Sequence, residues 1–369
     1  MAKASIGYGI VGCGMMGQEH IRNISLLGDA HVAAVFEPDA GMLAKSLALA
    51  PGARAVSSVA DLLADRDVDC VLIASPNHRH VEQLEEIARI RPLPVLVEKP
   101  LFTTPEDEER AAAAGRLLPL LWVAMEYRYM PPVARFIAEA DRATGGIRML
   151  TIREHRYPFL DKVGAWNRFE RTSGGTFVEK CCHFFDLMRL ILNADPVRVM
   201  ASAGSAVNHR DERYGGETPD IWDHGYALVD FNNGARAMLE LCMFAEGSRY
   251  QEEISAVGAT GKIECVVPGP TRFWPQHLGA PPVAQVIVSP RQPAGPRVLD
   301  IPVDPTLLAA GDHNGSTFYQ HRRFVDAVRG SGPVDVSLDD GRWAVLMGLA
   351  AQRSAREGRA VEIPRKVIR

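Results

Sequence analysis

The sequence predicts two domains of mixed α/β structure: a doubly wound parallel sheet at the N-terminus, followed by a domain with a mainly antiparallel sheet. A chain of 369 residues is too long for one ordinary core, since domains average about 150 residues. Apolar strands alternate with helical stretches through residues 5–97, as they do in a parallel sheet with crossover helices. A series of short strand-like runs follows residue 147, with hairpin signals such as Asn232-Asn233-Gly234 between them.

Composition and charge argue against several classes of partner. Lys and Arg number 41 against 45 Asp and Glu, and no concentrated basic run indicates a nucleic-acid interface. No segment reaches the roughly 18 apolar residues that cross a bilayer, so no membrane partner is expected. The six cysteines form no C-x-x-C pair, and the N-terminus lacks the apolar core of a signal peptide. We therefore expect reduced thiols and a cytoplasmic location.

A glycine-rich turn follows the first predicted strand, residues 5–11, and opens a helix that runs to about residue 27. Its pattern is G-x-G-x-x-G, in which the first glycine permits a tight turn, the second lets the backbone approach a pyrophosphate, and the third allows close helix–strand packing. The amides at the helix N-terminus face the phosphate charge. The predicted contacts to a dinucleotide in this turn are Gly12, Gly14, Met15, Met16 and Gly17.

The second predicted strand, residues 31–36, ends in Glu37, twenty residues after Gly17. An acidic side chain at this position accepts hydrogen bonds from the adenosine ribose hydroxyls and repels a 2′-phosphate. The sequence therefore favours NAD over NADP as the cofactor. The alternative is that Glu37 only faces solvent before the Pro38-Asp39 turn.

Two further loops lie at the carboxyl ends of predicted strands, residues 75–80 and 98–100, where ligands of a doubly wound sheet bind. Lys99 closes a buried strand, and its charge needs a partner or a function there. Partial burial lowers the pKa of a lysine and suits it to carry a proton. A structural pair of Glu98 with Lys99 is the alternative interpretation.

Together these motifs resemble the glucose–fructose oxidoreductase / inositol dehydrogenase (Gfo/Idh/MocA) family. The resemblance rests on the glycine motif, Ser-Pro-Asn-His-Arg-His at 75–80, Glu-Lys-Pro at 98–100, and Tyr-Arg-Tyr-Met-Pro at 127–131. It continues through Gly-Gly-Thr at 174–176, His-Phe-Phe-Asp at 183–186, and Ser-Leu-Asp-Asp-Gly at 337–341, and so covers nearly the whole chain. It implies a Rossmann domain at 1–125 and a domain at 126–369 with an open, mostly antiparallel sheet backed by helices. The C-terminal helix is the element most suited to pack back on the first domain.

The resemblance also implies roles for individual residues. Lys99 would be the main catalytic acid/base, with His183 as its partner at the substrate hydroxyl. Glu179 stands where the family usually has aspartate, which leaves open whether it polarises His183 or binds substrate. The further cofactor contacts implied by these motifs are Ser75, Asn77, His80, Glu98, Lys99 and Arg128.

A helix is predicted over residues 176–193 from the apolar spacing between Phe177 and Leu192. Within one helix, Glu179 and His183 form an i, i+4 pair on a shared face, which suits a carboxylate that orients an imidazole. An ordinary helix-surface pair is the alternative. Asp186 follows about one turn later and is expected to be a surface or capping group.

The segment before this helix is rich in cations and hydrogen-bond donors. Trp166 is a candidate to stack on the apolar face of a sugar ring, and Arg168 to bind hydroxyls or an anionic substituent. The predicted substrate contacts are Lys99, Arg156, Trp166, Arg168, Glu179 and His183. A solvated loop with scattered salt bridges is the alternative.

The sequence therefore predicts an NAD-dependent dehydrogenase that moves hydride from a secondary alcohol of a sugar, sugar derivative or inositol. No metal is required, because a positioned cation and an imidazole can polarise the hydroxyl. One alternative is an NAD-dependent glycosidase that oxidises its sugar transiently and releases no net NADH. A second is a non-catalytic NAD-dependent sensor. A homodimer or homotetramer is expected, because an open sheet leaves one face exposed.

Overall fold

The computed structural model describes residues 5–292 and 294–364, and these residues form two compact units. The first unit contains the described part of Met1–Glu126 together with Asp161–Gly174 and Thr317–Val345. The second contains Tyr127–Leu160, Gly175–Ser316 and the described part of Leu346–Arg369. The division into domains at 1–125 and 126–369 stays a prediction, and its outer ends lie outside the described residues.

The first unit is built on a six-stranded sheet with the order β3-β2-β1-β4-β5-β6, and each pairing between neighbouring strands is parallel. The central strands are buried along their whole length, which explains their continuous apolar sequences. The predicted doubly wound Rossmann sheet is confirmed. Its strands are β1 (Ile6–Val11), β2 (Ala30–Phe36), β3 (Arg54–Ala55), β4 (Cys70–Ile73), β5 (Val95–Val97) and β6 (Leu121–Val123).

Helices connect these strands in the way that a parallel sheet requires. Asp39 caps one of them by accepting a hydrogen bond from the Met42 amide at 2.8 Å, which fixes the chain just after Glu37. Another helix begins with an acidic first turn, in which Asp107, Glu108 and Glu109 lie near the positive end of the helix dipole. These helices are α1 (Met15–Ser25), α2 (Ala40–Leu49), α3 (Val59–Ala64), α4 (His80–Ile90) and α5 (Asp107–Leu117).

The second unit is built on a nine-stranded sheet with the order β14-β13-β12-β11-β7-β10-β9-β8-β15. The pairing of β7 with β10 is parallel, and the other pairings that the described residues form are antiparallel, which confirms the predicted sheet type. Its strands are β7 (Ile147–His155), β8 (Pro196–Gly204), β9 (His224–Phe231), β10 (Arg236–Cys242), β11 (Glu252–Gly258), β12 (Gly261–Val267), β13 (Gln285–Pro290), β14 (Arg297–Asp300) and β15 (Val361–Glu362).

The later helices are divided between the two units. α6 packs on β12 and β13, and α9 contacts β7 within the second unit, while α7 and most of α11 belong to the first. None of the described helices is both long and apolar enough to cross a membrane. These helices are α6 (Pro131–Thr144), α7 (Glu170–Ser173), α8 (Thr176–Glu179), α9 (Cys182–Leu192), α10 (Pro305–Ala310), α11 (Ser316–Val328) and α12 (Leu338–Glu357).

The prediction of one helix over 176–193 is wrong, because the chain forms α8 and α9 with a break between them. At the break, the Cys181 amide donates to the Thr176 carbonyl at 3.4 Å, five residues back rather than four. Such a local widening interrupts the regular helical ladder and occurs often near functional sites. Glu179 therefore ends α8, and His183 lies in the first turn of α9, so the two residues do not belong to one regular helix.

One face of the nine-stranded sheet exposes apolar side chains. Along β9 the burial alternates, with Tyr226 and Leu228 exposed and their neighbours buried. Leu228 lies opposite Met200 of β8 and Met238 of β10 in the register. These side chains form a contiguous apolar row on the open face of the sheet.

Candidate functional site

The glycine turn after β1 has the steric requirements of a dinucleotide cradle. Gly12 has a φ of 90°, and a Cβ placed on it would lie 2.5 Å from the Ser75 amide nitrogen. A Cβ on Gly17 would lie 2.4 Å from the carbonyl oxygen of Gly12. A Cβ on Gly14 would instead meet no described atom within 4 Å. Gly12 and Gly17 thus cannot carry a side chain without a clash, whereas Gly14 leaves open space over the backbone.

The N-terminus of α1 borders that space. Gly14 is the N-cap residue, and among the described residues no side chain caps the helix. The first-turn amides, those of Met15 and Met16 among them, are therefore not covered by a capping group and carry the positive end of the helix dipole. This arrangement fits the pyrophosphate of a dinucleotide.

Glu37 is bound to the glycine turn rather than only facing solvent. Its Oε2 accepts a hydrogen bond from the Cys13 amide at 2.7 Å, and its Oε1 accepts one from the Asp39 amide at 2.8 Å. Both bonds fix a partly exposed carboxylate beside the cradle. A carboxylate held there fits a free ribose 2′-hydroxyl and disfavours a 2′-phosphate.

His80 joins the two predicted ligand loops of the first unit. Its Nδ1 lies 2.8 Å from the Pro100 carbonyl oxygen, and its Nε2 lies 3.1 Å from that of Ser75. Asn77, also buried, donates through Nδ2 to the Ser173 carbonyl at 3.0 Å. The structure therefore brings Ser75, Asn77 and His80 together with the loop that contains Lys99, as the position of both loops at strand ends indicated.

Glu98 is buried and makes two hydrogen bonds at the end of β5. Its Oε1 lies 2.7 Å from His20 Nε2, and its Oε2 accepts from the Lys99 amide at 3.1 Å. Burial raises the pKa of Glu98, but the hydrogen bond and charge of His20 lower it further, so the net pKa is below its usual value. Lys99 itself is partly exposed. His20 was not predicted from the sequence, in which its only signal is a histidine on the buried side of α1.

The predicted groups of the second unit lie at the break between α8 and α9. Glu179 and His183 are both buried there. The His183 imidazole stacks on the ring of Tyr127, with centroids 4.1 Å apart and planes 9° from parallel. This contact fixes the plane in which the imidazole nitrogens point.

Lys180 is a buried cation that the sequence analysis did not identify. Its Nζ lies 2.6 Å from the Tyr127 hydroxyl and 2.8 Å from Glu154 Oε1. Burial and the nearby Arg156 lower the pKa of Lys180, while Glu154 opposes this shift. The available signal was a lysine inside an apolar segment that runs from Phe177 to Met188.

Arg156 and Glu252 complete this buried charge cluster. Arg156 Nη1 lies 3.8 Å from Glu154 Oε1, and its guanidinium stacks over the Tyr157 ring. Gln251 Nε2 donates to Glu252 Oε1 at 2.6 Å. Burial and the charge of Glu154 raise the pKa of Glu252 to about 7. The predicted substrate contact Arg156 is therefore part of a network of charges within the second unit.

Arg128 forms a bidentate ion pair with Asp186. Arg128 Nε donates to Oδ2 at 2.6 Å and its Nη2 donates to Oδ1 at 2.5 Å. Both side chains are buried, so the expectation that Asp186 is a surface or capping group is wrong. The physical reason is that a buried guanidinium needs a carboxylate partner of matching geometry. The role of Arg128 toward the cofactor stays a prediction.

Trp166 and Arg168 lie in the part of the first unit that comes from 161–174. Arg168 is buried, and its Nη2 donates to Asp161 at 2.7 Å. Lys162 Nζ lies 5.0 Å from the Trp166 ring centroid, and Thr172 Oγ1 donates to the Trp166 carbonyl at 2.5 Å. Both side chains are ordered by their own segment, and their contact with substrate stays a prediction.

Two family models match the chain. The model "Oxidoreductase family, NAD-binding Rossmann fold" matches residues 6–119, and "Oxidoreductase family, C-terminal alpha/beta domain" matches residues 142–363. The first unit is therefore an NAD-binding unit, as its glycine cradle indicates.

Individual relatives agree with these matches. Inositol 2-dehydrogenase 2 of Saccharopolyspora erythraea is 31% identical over 289 residues, which cover 76% of this chain and 79% of that protein. Myo-inositol 2-dehydrogenase of Thermotoga maritima is 24% identical over 359 residues, 96% of this chain and 98% of that protein. The structure of levoglucosan dehydrogenase with NADH and levoglucosan has a TM-score of 0.80 at 21% identity, covering 98% of this chain and 100% of that chain. At this identity the structural similarity shows a shared fold.

Proposed function

Because the chain belongs to the Gfo/Idh/MocA oxidoreductase family, with NAD as its cofactor, we propose that it oxidises a secondary hydroxyl of an inositol, sugar or sugar derivative. The observation that carries the proposal is His183, a buried imidazole held flat on Tyr127 and four residues after the buried Glu179. The names of the inositol dehydrogenase relatives support the polyol or sugar class of substrate.

The cofactor site of the proposal is the cradle of the first unit. Gly12, Gly14 and Gly17 receive the dinucleotide backbone, the α1 amides of Met15 and Met16 face the pyrophosphate, and Glu37 accepts from the ribose. Ser75, Asn77, His80, Glu98 and Arg128 are the further cofactor contacts that we propose. When bound, NAD supplies a hydride acceptor.

Proton handling is assigned to this chain's own side chains. Loss of hydride from a carbinol carbon is productive only if the hydroxyl proton also leaves. We assign that proton to Lys99 as the main acid/base, with His183 as its partner at the substrate hydroxyl. Glu179 orients His183 or binds a neighbouring hydroxyl of the substrate. The longer side chain of glutamate, compared with aspartate, permits either role.

Substrate recognition is assigned to Arg156, Trp166 and Arg168, in addition to the groups that handle the proton. Trp166 offers an aromatic surface for the apolar face of a sugar ring. The two guanidinium groups bind hydroxyls, or an anionic substituent of the substrate. Matched neutral and anionic sugars separate these two uses of the arginines. A higher kcat/KM for the anionic member indicates charge recognition, and equal values indicate hydroxyl recognition.

The protein is also proposed to be a cytoplasmic homodimer or homotetramer. The apolar row of Met200, Leu228 and Met238 on the open face of the sheet supports self-association, since exposed apolar patches mark interaction surfaces. The six cysteines are all free thiols, which suits a reducing compartment. Light scattering at micromolar concentration tests the assembly, and a clean monomer contradicts it.

The function is tested by incubating purified protein and NAD with a panel of inositols, sugars, sugar acids and glycosides. NADH absorbance and the sugars themselves are followed together. Lys99→Met and His183→Ala are expected to lower turnover by about a hundredfold or more while NAD affinity stays nearly intact. Lys45→Met, an exposed lysine of α2, is the matched control. Near-normal turnover in both active-site variants contradicts the assignment of the proton.

A further inference from the structure

Four buried side chains of the first unit form a continuous hydrogen-bonded chain that ends at Glu98. The Tyr8 hydroxyl lies 3.2 Å from His321 Nδ1, and His321 Nε2 lies 2.8 Å from His20 Nδ1. His20 Nε2 lies 2.7 Å from Glu98 Oε1. The relative exposure is 0% for Tyr8, His20 and His321 and 4% for Glu98. Burying four polar side chains is costly unless they satisfy one another's hydrogen-bonding groups.

The four residues come from separate parts of the unit. Tyr8 lies in β1, His20 in α1, Glu98 directly after β5, and His321 in α11. The rings of His20 and His321 meet edge to face at 86°, and those of Tyr8 and His321 at 80°. The geometry therefore links the helix of the cofactor cradle to the loop that contains Lys99, through a helix from the C-terminal part of the chain.

With Glu98 ionised, this hydrogen-bonded row admits two arrangements of protons. In one, Tyr8 donates to His321 Nδ1, His321 donates to His20 Nδ1, and His20 donates to Glu98. In the other, His20 is an imidazolium that donates to both His321 and Glu98, and His321 donates to the Tyr8 oxygen. In both arrangements His20 Nε2–H donates to an ionised Glu98.

The surrounding charges favour the arrangement with a charged His20. Burial lowers the pKa of His20, but Glu98, Glu126 and Glu19 raise it further, so the net pKa lies above its ordinary value. Burial and the charge of His20 lower the pKa of His321 well below its ordinary value. Other charged or titratable groups also affect the pKa values at the two ends of this row. They are Lys99 and His80 near Glu98, and Cys70 and Asp29 near Tyr8.

We propose that His20 and His321 are positioning residues for the oxidation, and that they hold Glu98 as an oriented, ionised carboxylate beside Lys99. Glu98 Oε2 accepts the Lys99 amide, so the orientation of Glu98 also sets the backbone of the loop from 98 to 100. The kinetic consequence rests on the proposed function, whereas the ionisation of Glu98 does not. Removal of the His20 donor leaves a buried carboxylate without its charged partner, and such a carboxylate takes up a proton at higher pH.

The hydrogen-bonded row from Tyr8 to Glu98 can be tested without any substrate. Histidine-selective ¹⁵N labelling of the full-length protein reports the protonation of each ring, with His20→Gln and His321→Gln assigning the signals. In Glu98→Gln the titration midpoint of His20 is expected to fall by about 1 pH unit or more, because its anionic partner is gone. The exposed His31 lies outside this network and is the internal control of the labelling experiment. A His20 midpoint that is unchanged in Glu98→Gln overturns the proposal.

The positioning role is tested by the pH profile of kcat with the best substrate. His20→Leu is expected to move the acidic limb upward by about 1 pH unit or more, and His20→Gln, which keeps an N–H donor, by less. His31→Asn keeps the wild-type profile. If His20→Leu does not fold, the acidic limb of His321→Gln is compared with that of the wild type instead. Superimposable acidic limbs in the folded variants overturn the positioning role.

A protein that oxidises no panel member refutes the proposed function, and the labelling experiment still decides the ionisation of Glu98.

Discussion

The imidazole of His183 lies flat against the phenol ring of Tyr127, and the hydroxyl of that phenol lies 2.6 Å from Lys180 Nζ. A side chain stacked on one face has little freedom to rotate, so its nitrogens point in fixed directions. Lys180 in turn fixes Tyr127 through an ion pair with Glu154. The buried cation is therefore linked to His183 through the ring of Tyr127.

This relationship predicts different effects for two substitutions of Tyr127. Tyr127→Phe keeps the stacking surface and loses only the hydroxyl, whereas Tyr127→Leu loses both. We expect Tyr127→Leu to lower kcat by about tenfold or more, because a misplaced catalytic group loses much of its effect. Tyr127→Phe should retain most of the turnover. Steady-state kinetics on folded proteins check this, and equal losses in the two variants would show that stacking does not orient His183.

The cradle predicts that Gly14 serves the cofactor rather than the fold. A Cβ at this position meets no described atom within 4 Å, and its φ of −66° is accessible to alanine. Gly14→Ala should therefore leave the unfolding midpoint unchanged while it weakens NAD binding by about tenfold, since one methyl group prevents close approach to the pyrophosphate. Isothermal titration with NAD measures the affinity.

Gly28→Ala is the matched control, because its added Cβ also meets no described atom within 4 Å and it lies outside the glycine motif. It should bind NAD like the wild type. Wild-type affinity in Gly14→Ala would contradict the assignment of the open space to the cofactor.

Glu37 is expected to set the preference for NAD. Glu37→Gln keeps an oxygen that accepts from the Cys13 amide but removes the negative charge. The ratio of kcat/KM with NADP to kcat/KM with NAD should rise by about tenfold, because repulsion of the 2′-phosphate is lost. Glu82→Gln, an exposed acid of α4, provides the control for a change of net charge. An unchanged ratio in Glu37→Gln would remove Glu37 from cofactor discrimination.

The charge cluster around Lys180 predicts a stability that depends on pH. The pKa of Glu252 is raised from 4.5 to about 7 in the folded protein, so between these values the folded state binds more protons than the unfolded state. This contribution to stability is present at low pH and is lost as pH rises through 7. Glutamine stays neutral at every pH, whereas Glu252 is a buried charge above pH 7. Glu252→Gln should therefore be more stable than wild type by up to about 3 kcal/mol at pH 8 and by little at pH 5.

Urea unfolding at the two pH values measures this difference. Glu253→Gln is the neighbouring control, since Glu253 is partly exposed and pairs with Arg153. A relative stability of Glu252→Gln that is the same at both pH values would contradict the raised pKa.

Much of the fold follows from local sequence signals. The glycine spacing and the alternation of strands and helices predicted the parallel sheet, and short strands with hairpin signals predicted the mainly antiparallel one. The family named from its motifs is confirmed by the two family models. The break between α8 and α9 was not predictable from apolar spacing, because Phe177 and Phe184 keep helical periodicity across it.

The site was harder to predict wherever it depends on pairing between distant residues. Arg128 with Asp186, and Lys180 with Glu154, are partners only in the folded chain, and each residue alone resembles a surface charge. His20 and His321 are separated by 301 residues. Periodicity and motif spacing describe neighbours in sequence, so they made Lys99 and His183 candidates but did not indicate partners that are distant in sequence.

Net oxidation of a secondary alcohol by NAD can be tested with a substrate of the panel that carries deuterium on its carbinol carbon. Mass spectrometry of the nicotinamide product and of the sugar follows the label during turnover. One deuterium is expected in the reduced cofactor for each ketone formed. A glycoside cleaved in the presence of NAD, with the label returned to the sugar and no net NADH, would contradict it and establish redox-assisted hydrolysis instead.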